Sequence, residues 1–426
     1  MLVFSALLVT AAGNTALQSV LPVIGREIRI PDLAIAMIFS LSALFWTFSA
    51  HYWARRSDIV GRRRLMIVGV TGFGVSMLLC ACVVLAGLKG LIPPLLTFLL
   101  FTVARGVFGI FGAAANPAAQ AYVAGRTSQA ERTAALAMLA SAFGLGTILG
   151  PAVAPIFILP VVGLAGPMFA FVGIALIVVL AIRTGLPDDA PAAGDAPQGG
   201  RGAPASMPTL GSMNMGASAT AADANSATGR RERLSVTDPR VRPFMIFGFV
   251  AGSVQAGTGQ AIGFFIIDRM SDGTGIAPTQ LIAITFMAGA GATLLAQWGL
   301  VRMLNLSPSQ MMRWGSVIAA AGLAGIAFAP GFYALVFAFA VSSAGFGFAR
   351  PGFMAGSSLA VGRGEQGAVA GAVTSVNGAC FVLAPAIGIG LYELVPELPY
   401  WLAVPIMLAL AIYAWGNGLL RTSQPV

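Results

Sequence analysis

Apolar residues run along this chain in blocks of roughly 20, the length that carries a helix across the hydrocarbon core of a bilayer. Short polar breaks separate the blocks. Twelve segments result, at about 2–24, 33–54, 65–88, 92–121, 133–158, 164–183, 242–267, 279–302, 312–330, 332–354, 366–392 and 399–420. The apolar side chains form continuous runs instead of the short alternating segments of a membrane barrel, so the pattern predicts an all-α integral membrane protein with twelve transmembrane helices. One stretch interrupts the rhythm. Residues 186–240 are rich in Gly, Ala, Pro, Ser and Asp and poor in large apolar side chains. They cannot bury enough surface to offset the entropy of ordering, so a disordered cytoplasmic linker is expected. It would join an N-terminal six-helix bundle, 1–185, to a C-terminal six-helix bundle, 241–426.

Composition excludes the alternatives. Of 426 residues, 57% are hydrophobic and 9% charged, more apolar surface than a soluble protein of this length can enclose. In a soluble protein a net charge of +9 would suggest a nucleic-acid partner. Here the charge follows topology. With both termini inside, nineteen basic residues fall in inside loops, among them Arg55, Arg56, Arg62, Arg63, Arg64, Arg313 and Arg350. Only Arg26, Arg29, Lys89 and Arg269 fall outside. That bias supports an even span count and a multi-pass protein of the cytoplasmic (inner) membrane with both ends in the cytoplasm. Membrane lipid is then the surrounding partner, no nucleic acid is expected, and a monomer is expected. The run from Met1 lacks the basic region and cleavage site of a signal peptide and reads as the first span. Cys80, Cys82 and Cys380 lie in apolar segments without metal-ligand spacing and are expected as buried small hydrophobes. The sequence carries no H-E-x-x-H, no phosphate-binding P-loop and no nucleophile with a histidine partner. Neither an enzyme, a metal site nor an ATP-driven pump is expected.

The two halves repeat. Asn116-Pro117 and Gly150-Pro151 in the fourth and fifth segments place their prolines 34 residues apart, and so do Arg350-Pro351 and Ala384-Pro385 in the tenth and eleventh. A Gly-Arg pair recurs between them, Gly125-Arg126 and Gly362-Arg363. Parallel six-span repeats with a substrate cavity between them are a transporter architecture.

These features resemble the major facilitator superfamily, over essentially the whole chain except the linker. Between the second and third spans that family carries G-x-L-A-D-R-x-G-R-R/K. Here the matching stretch includes Ala54, Arg56, Ser57, Asp58, Gly61, Arg62 and Arg63. The aspartate, the second glycine and the basic pair are kept, whereas Ala54, Arg56 and Ile59 depart from the pattern. An aspartate there can accept from a helix N-terminus and pair with an arginine, and Gly61 permits a tight turn. Two readings stand: a latch between conformational states, or a topology anchor alone. The fifth span resembles the G-x8-G-x3-G-P-x2-G-G signature of the drug:proton antiporter branch, which implies export. Gly146, Gly150 and Pro151 match, while Ala137 and Ala154-Pro155 do not. Small residues at four-residue spacing allow close helix contact, and Pro151 can bend its helix. In the second half Cys380, Ala384 and Gly388 occupy the corresponding stripe, with Pro385 next to Ala384.

Arg105 lies within an apolar span, where a charge is costly unless paired or hydrated. With Gly109 it resembles the R-x-x-x-G element of the family's fourth span, whose arginine is associated with proton coupling; pairing with backbone carbonyls or snorkelling would also explain it. The resemblance implies no cofactor and a proton gradient as energy source. The residues themselves offer few proton carriers: the first span has Asn14 and Gln18 but no carboxylate, Glu27 and Asp32 fall in the first outer loop, and Asp268 and Glu393 lie near outer helix ends. A cavity with Arg105 and no opposing carboxylate disfavours permanent cations and suits neutral, polar-aromatic or anionic molecules. Asn14, Gln18, Gln255, Gln260 and Asn377 are candidate hydrogen-bonding contacts, with Phe45 and Trp46 as apolar wall. The expected function is proton-driven export of a small organic molecule by alternating access, either an amphiphilic drug or a secreted metabolite such as a hydroxamate or carboxylate siderophore. An uptake permease for a small organic anion and a non-transporting sensor or scaffold are the other readings.

Overall fold

The computed structural model describes residues 1–124, 126, 129–187, 238–271, 275–361 and 365–421. Those up to Pro187 belong to one compact unit and those from Asp238 onward to a second. Most of the expected linker, residues 188–237, lies outside the described residues.

In the first unit the order is α1 (Leu2–Ile28), α2 (Asp32–Val60), α3 (Arg62–Leu88), α4 (Pro94–Phe111), α5 (Ala115–Ala124), α6 (Gln129–Val153) and α7 (Gly166–Gly185). The second unit holds α8 (Arg242–Met270), α9 (Pro278–Leu294), α10 (Val301–Met303), α11 (Pro308–Ala327), α12 (Phe332–Leu359), α13 (Gln366–Leu394), α14 (Leu398–Gly416) and the short α15 (Gly418–Arg421). Among the described residues ten helical segments are long and apolar enough to cross a membrane. The two remaining long helices, α6 and α11, carry polar side chains in their opening turns, and the apolar part of α6 with its 3-10 extension is Gly144–Phe157. Outward-facing positions are apolar too: Leu95 is 70% exposed, Val103 69% and Ile412 71%. Such side chains are at home only against lipid.

Local chemistry sets the boundaries. Proline stands in the first turn of α4, α7, α8, α9, α11 and α14, where its missing donor costs nothing. Ser307 and Gln310 close α11 with a capping box. The expected loop after the second span is almost absent: α2 runs to Val60, α3 starts at Arg62, and Gly61 alone separates them at φ 94°. Only glycine adopts that backbone without strain. Asp32, expected in a loop, is the first residue of α2 and pairs with Arg26 at 2.7 Å. Arg313 and Arg350, assigned to inside loops by the charge pattern, lie within α11 and α12. Cys80 and Cys380 are buried as expected, but Cys82 is exposed, since it faces away from the packed side of α3.

The proline repeat has unequal consequences. Ahead of Pro117 the chain passes through a 3-10 turn, Gly112–Ala114, that divides α4 from α5. Proline offers no amide to that ladder and crowds the carbonyl four residues earlier. Pro351 instead sits inside the unbroken α12. In the second unit the irregular segment is a π-helical turn, Leu295–Leu300, between α9 and α10.

Each unit contains the same two intimate pairings. α1 packs on α6 as α8 packs on α13, and α3 packs on α4 and α5 as α11 packs on α12. Backbones touch there. A Cβ added at Gly150 would lie 2.2 Å from the Ala12 carbonyl oxygen, and one at Gly388 would lie 2.4 Å from that of Gly257. Membrane helices gain little from burial against each other, so such close van der Waals contact is what holds them together. Charged ties act at the helix ends. Arg240 donates to both Glu365 oxygens at 2.8 and 2.9 Å and to Asp238, linking the start of α8 to that of α13. The hydrogen bonds from Arg240 hold the Asp238 carboxyl below the ordinary carboxylate range.

Candidate functional site

The first unit encloses a guanidinium. Arg105 sits in the middle of α4 at 2% exposure, the largest side chain so deeply buried among the described residues. Its Nη2 donates to Asn14 Oδ1 at 2.7 Å, across from α4 to α1. That acceptor is a neutral amide. The guanidinium carbon also stands 4.7 Å from the centre of the Phe108 ring and 5.6 Å from that of Phe39, distances at which a desolvated cation gains about 2 kcal/mol from a ring face. Arg105 Nε and Nη1 have no hydrogen-bond partner. Among the described residues its hydrogen-bonding demand is therefore only partly met.

Helical spacing builds the surroundings. Phe108 is one turn beyond Arg105 on α4, and Phe39, Ser42 and Trp46 share one face of α2. The Trp46 ring packs on Phe108 with centroids 5.1 Å apart. Ser42 Oγ donates to the Arg105 carbonyl at 3.2 Å. Gly109 lets α2 approach, because a Cβ there would lie 2.6 Å from the Ser42 carbonyl oxygen. Gln18, one turn along α1 from Asn14, is buried, and among the described residues neither its Oε1 nor the buried Trp46 Nε1 has a hydrogen-bond partner. Buried polar atoms without partners are uncommon and mark places where something else is bound or moves.

The remaining candidate residues divide by unit. Gln255 and Gln260 lie on α8 and Asn377 on α13, with Gln260 and Asn377 buried. On α6, Gly146 and Gly150 face α1 close to Leu8, Ala12 and Thr15, and Pro151 is two residues from the helix end. Ala384 presents its carbonyl to Gly257, and Pro385 lies inside α13. At the expected gate, Arg63 donates to the Arg183 carbonyl on α7. Asp58 belongs to the last turns of α2, but its side chain lies outside the described residues. Phe39, Phe108 and Ser42 escaped the sequence reading. Their signal was present as a shared helical face, but aromatic residues at that spacing are common in any packed membrane helix.

Two units of bilayer-length helices, apolar outside, the first of them enclosing a polar cluster, define a polytopic membrane protein of the transporter class. Residues 3–305 match the family model of the Major Facilitator Superfamily, and the chain belongs to that family. It is a multi-pass membrane transporter, not an enzyme. A curated relative, the multidrug efflux pump LfrA of Mycolicibacterium smegmatis, is 30% identical over 147 residues, 34% of this chain. That alignment spans only 27% of the relative's length. Among solved structures the fold is similar to the human organic anion transporter MFSD10 (TETRAN), with a TM-score of 0.64, 17% identity and coverage of 97% of this chain and 98% of that one. It is also similar to a bacterial homologue of the iron transporter ferroportin in an outward-facing state, with a TM-score of 0.59, 14% identity and the same coverage.

Proposed function

We propose that this protein exports a small organic molecule from the cytoplasm across the inner membrane by alternating access, with a proton gradient as energy source and both termini cytoplasmic. The observation that carries the reading is the fit of α6 against α1 through Gly146 and Gly150, beside Pro151. This is the segment whose pattern resembles the drug:proton antiporters, and the M. smegmatis relative is described as an efflux pump. Arg105 is the coupling or substrate-binding group in this reading, because it is a buried charge whose main polar partner is an uncharged amide. Amphiphilic drugs and secreted metabolites, including siderophores, remain the cargo classes.

Inside-out vesicles test direction and energy source together. An imposed proton gradient, acid inside, should drive accumulation of exported solute, and a protonophore should stop it. Arg105→Ala should abolish accumulation while the protein still inserts. Undiminished accumulation by that variant would remove Arg105 from the mechanism. Comparison of metabolites in the medium of cells with and without the protein, iron-replete and iron-poor, would separate a siderophore cargo from a drug cargo.

A further inference from the structure

We infer that the Arg105 cluster of the first unit is a binding site for an aromatic carboxylate, and that Asn14 occupies the guanidinium when no ligand is present. This rests on the proposed role of Arg105 in transport and specifies the class of solute.

Arg105 carries a positive charge into a region where α1, α2 and α4 supply no carboxylate near it, and its side-chain acceptor is the amide oxygen of Asn14. Among the described residues, two of its nitrogens and the Trp46 indole nitrogen are buried donors without acceptors. A donor-rich, positively charged centre favours a ligand that brings negative charge and acceptor oxygens. A permanent cation would bring neither. A carboxylate brings opposite charge and can engage a guanidinium through two parallel hydrogen bonds, where the Asn14 amide supplies one neutral acceptor, so an incoming carboxylate can displace Asn14 from Nη2 and engage the donors the amide leaves idle.

The aromatic half of the assignment comes from the walls. Phe39 and Phe108 flank the guanidinium, and Trp46 lies against Phe108. A planar ring attached to the carboxylate finds stacking surface on three rings. With Arg105 at 2% and Trp46 at 5% exposure, the cluster is closed to water in this conformation, and the ligand would enter in another. Asn14 then has a second task. It keeps the guanidinium hydrogen-bonded while the site is empty, and it is weak enough to yield.

The test uses the full chain in nanodiscs and measures equilibrium binding of benzoate, salicylate and 1-naphthoate, the matching neutral amides, and the cation tetraphenylphosphonium. Each carboxylate that binds should do so about tenfold or more tightly than its amide, the size expected for a hydrogen-bonded charge. Arg105→Gln should bring the two within about twofold. Asn14→Asp places a tethered carboxylate on the guanidinium; it should block carboxylate binding yet leave the melting temperature at or above that of the unaltered chain, a readout that a damaged fold would not give. The inference is overturned if no carboxylate in the series binds, if the amides bind equally well, if Asn14→Asp keeps the preference, or if physiological chloride displaces naphthoate completely, which would assign the site to inorganic anions. Arg105-dependent binding and transport of an amide or of tetraphenylphosphonium would leave the exporter reading standing while removing the carboxylate. Unaltered handling of every probe by Arg105→Gln would remove both.

Discussion

At the scale of residues, the site is defined by Arg105 within an apolar helix and the neutral amide that meets it. Asn14→Ala should leave Arg105 without its hydrogen bond and cost about 1–3 kcal/mol, the usual penalty for a buried group whose partner is removed. Thermal unfolding in detergent reads this directly, and an unchanged melting temperature would mean that water already serves the guanidinium. Arg105 was legible in the sequence because a charge inside an apolar run needs a reason. Its partner was legible only as a candidate. Asn14 lies 91 residues away, and no local periodicity says which of several buried amides faces which helix. Trp46 was read as wall, yet the pairing with Phe108 that brings it to the arginine depends on how α2 turns about its own axis. Apolar positions all around a membrane helix do not encode that rotation.

Among the elements, packing at glycine decides which helices are partners. Gly150→Leu would drive its side chain into the Ala12 carbonyl and Thr15. Overpacking of this kind costs about 1–3 kcal/mol or more, so the variant should unfold at a lower temperature and accumulate less in the membrane; normal stability would show that α6 and α1 can separate freely. The small-residue stripe was visible from its spacing alone, but its target was not, since a stripe says close contact without naming the neighbour. Helix existence was equally plain from the apolar runs, whereas several ends were misjudged. Positive charges mark the membrane boundary and not the helix terminus, which is why α2 continues through the arginines to Val60 and why Arg350 sits inside α12. Gly61 was expected to allow a tight turn, and at φ 94° it is the entire connection.

For the whole molecule, the membership in the Major Facilitator Superfamily follows from features that survive large sequence change: bilayer-length apolar runs, a halfway break in composition and paired motifs in the two halves. Substrate and direction depend on a few side chains within that frame and are correspondingly harder to read. Deletion of residues 190–227 should leave insertion and transport intact, because that stretch is nearly devoid of large apolar side chains; loss of insertion in a membrane-fraction assay would give the segment a structural role. The central claim is that solute reaches the Arg105 cluster in the course of transport. The most direct measurement places a cysteine at Gln18, beside Asn14 on α1, in a chain with Cys80, Cys82 and Cys380 replaced, and labels it with a membrane-impermeant thiol reagent in sided vesicles that still transport. The account predicts labelling that switches from one face to the other as the proton gradient is reversed. A thiol sealed from both faces under every gradient, in vesicles that continue to move solute, would contradict it.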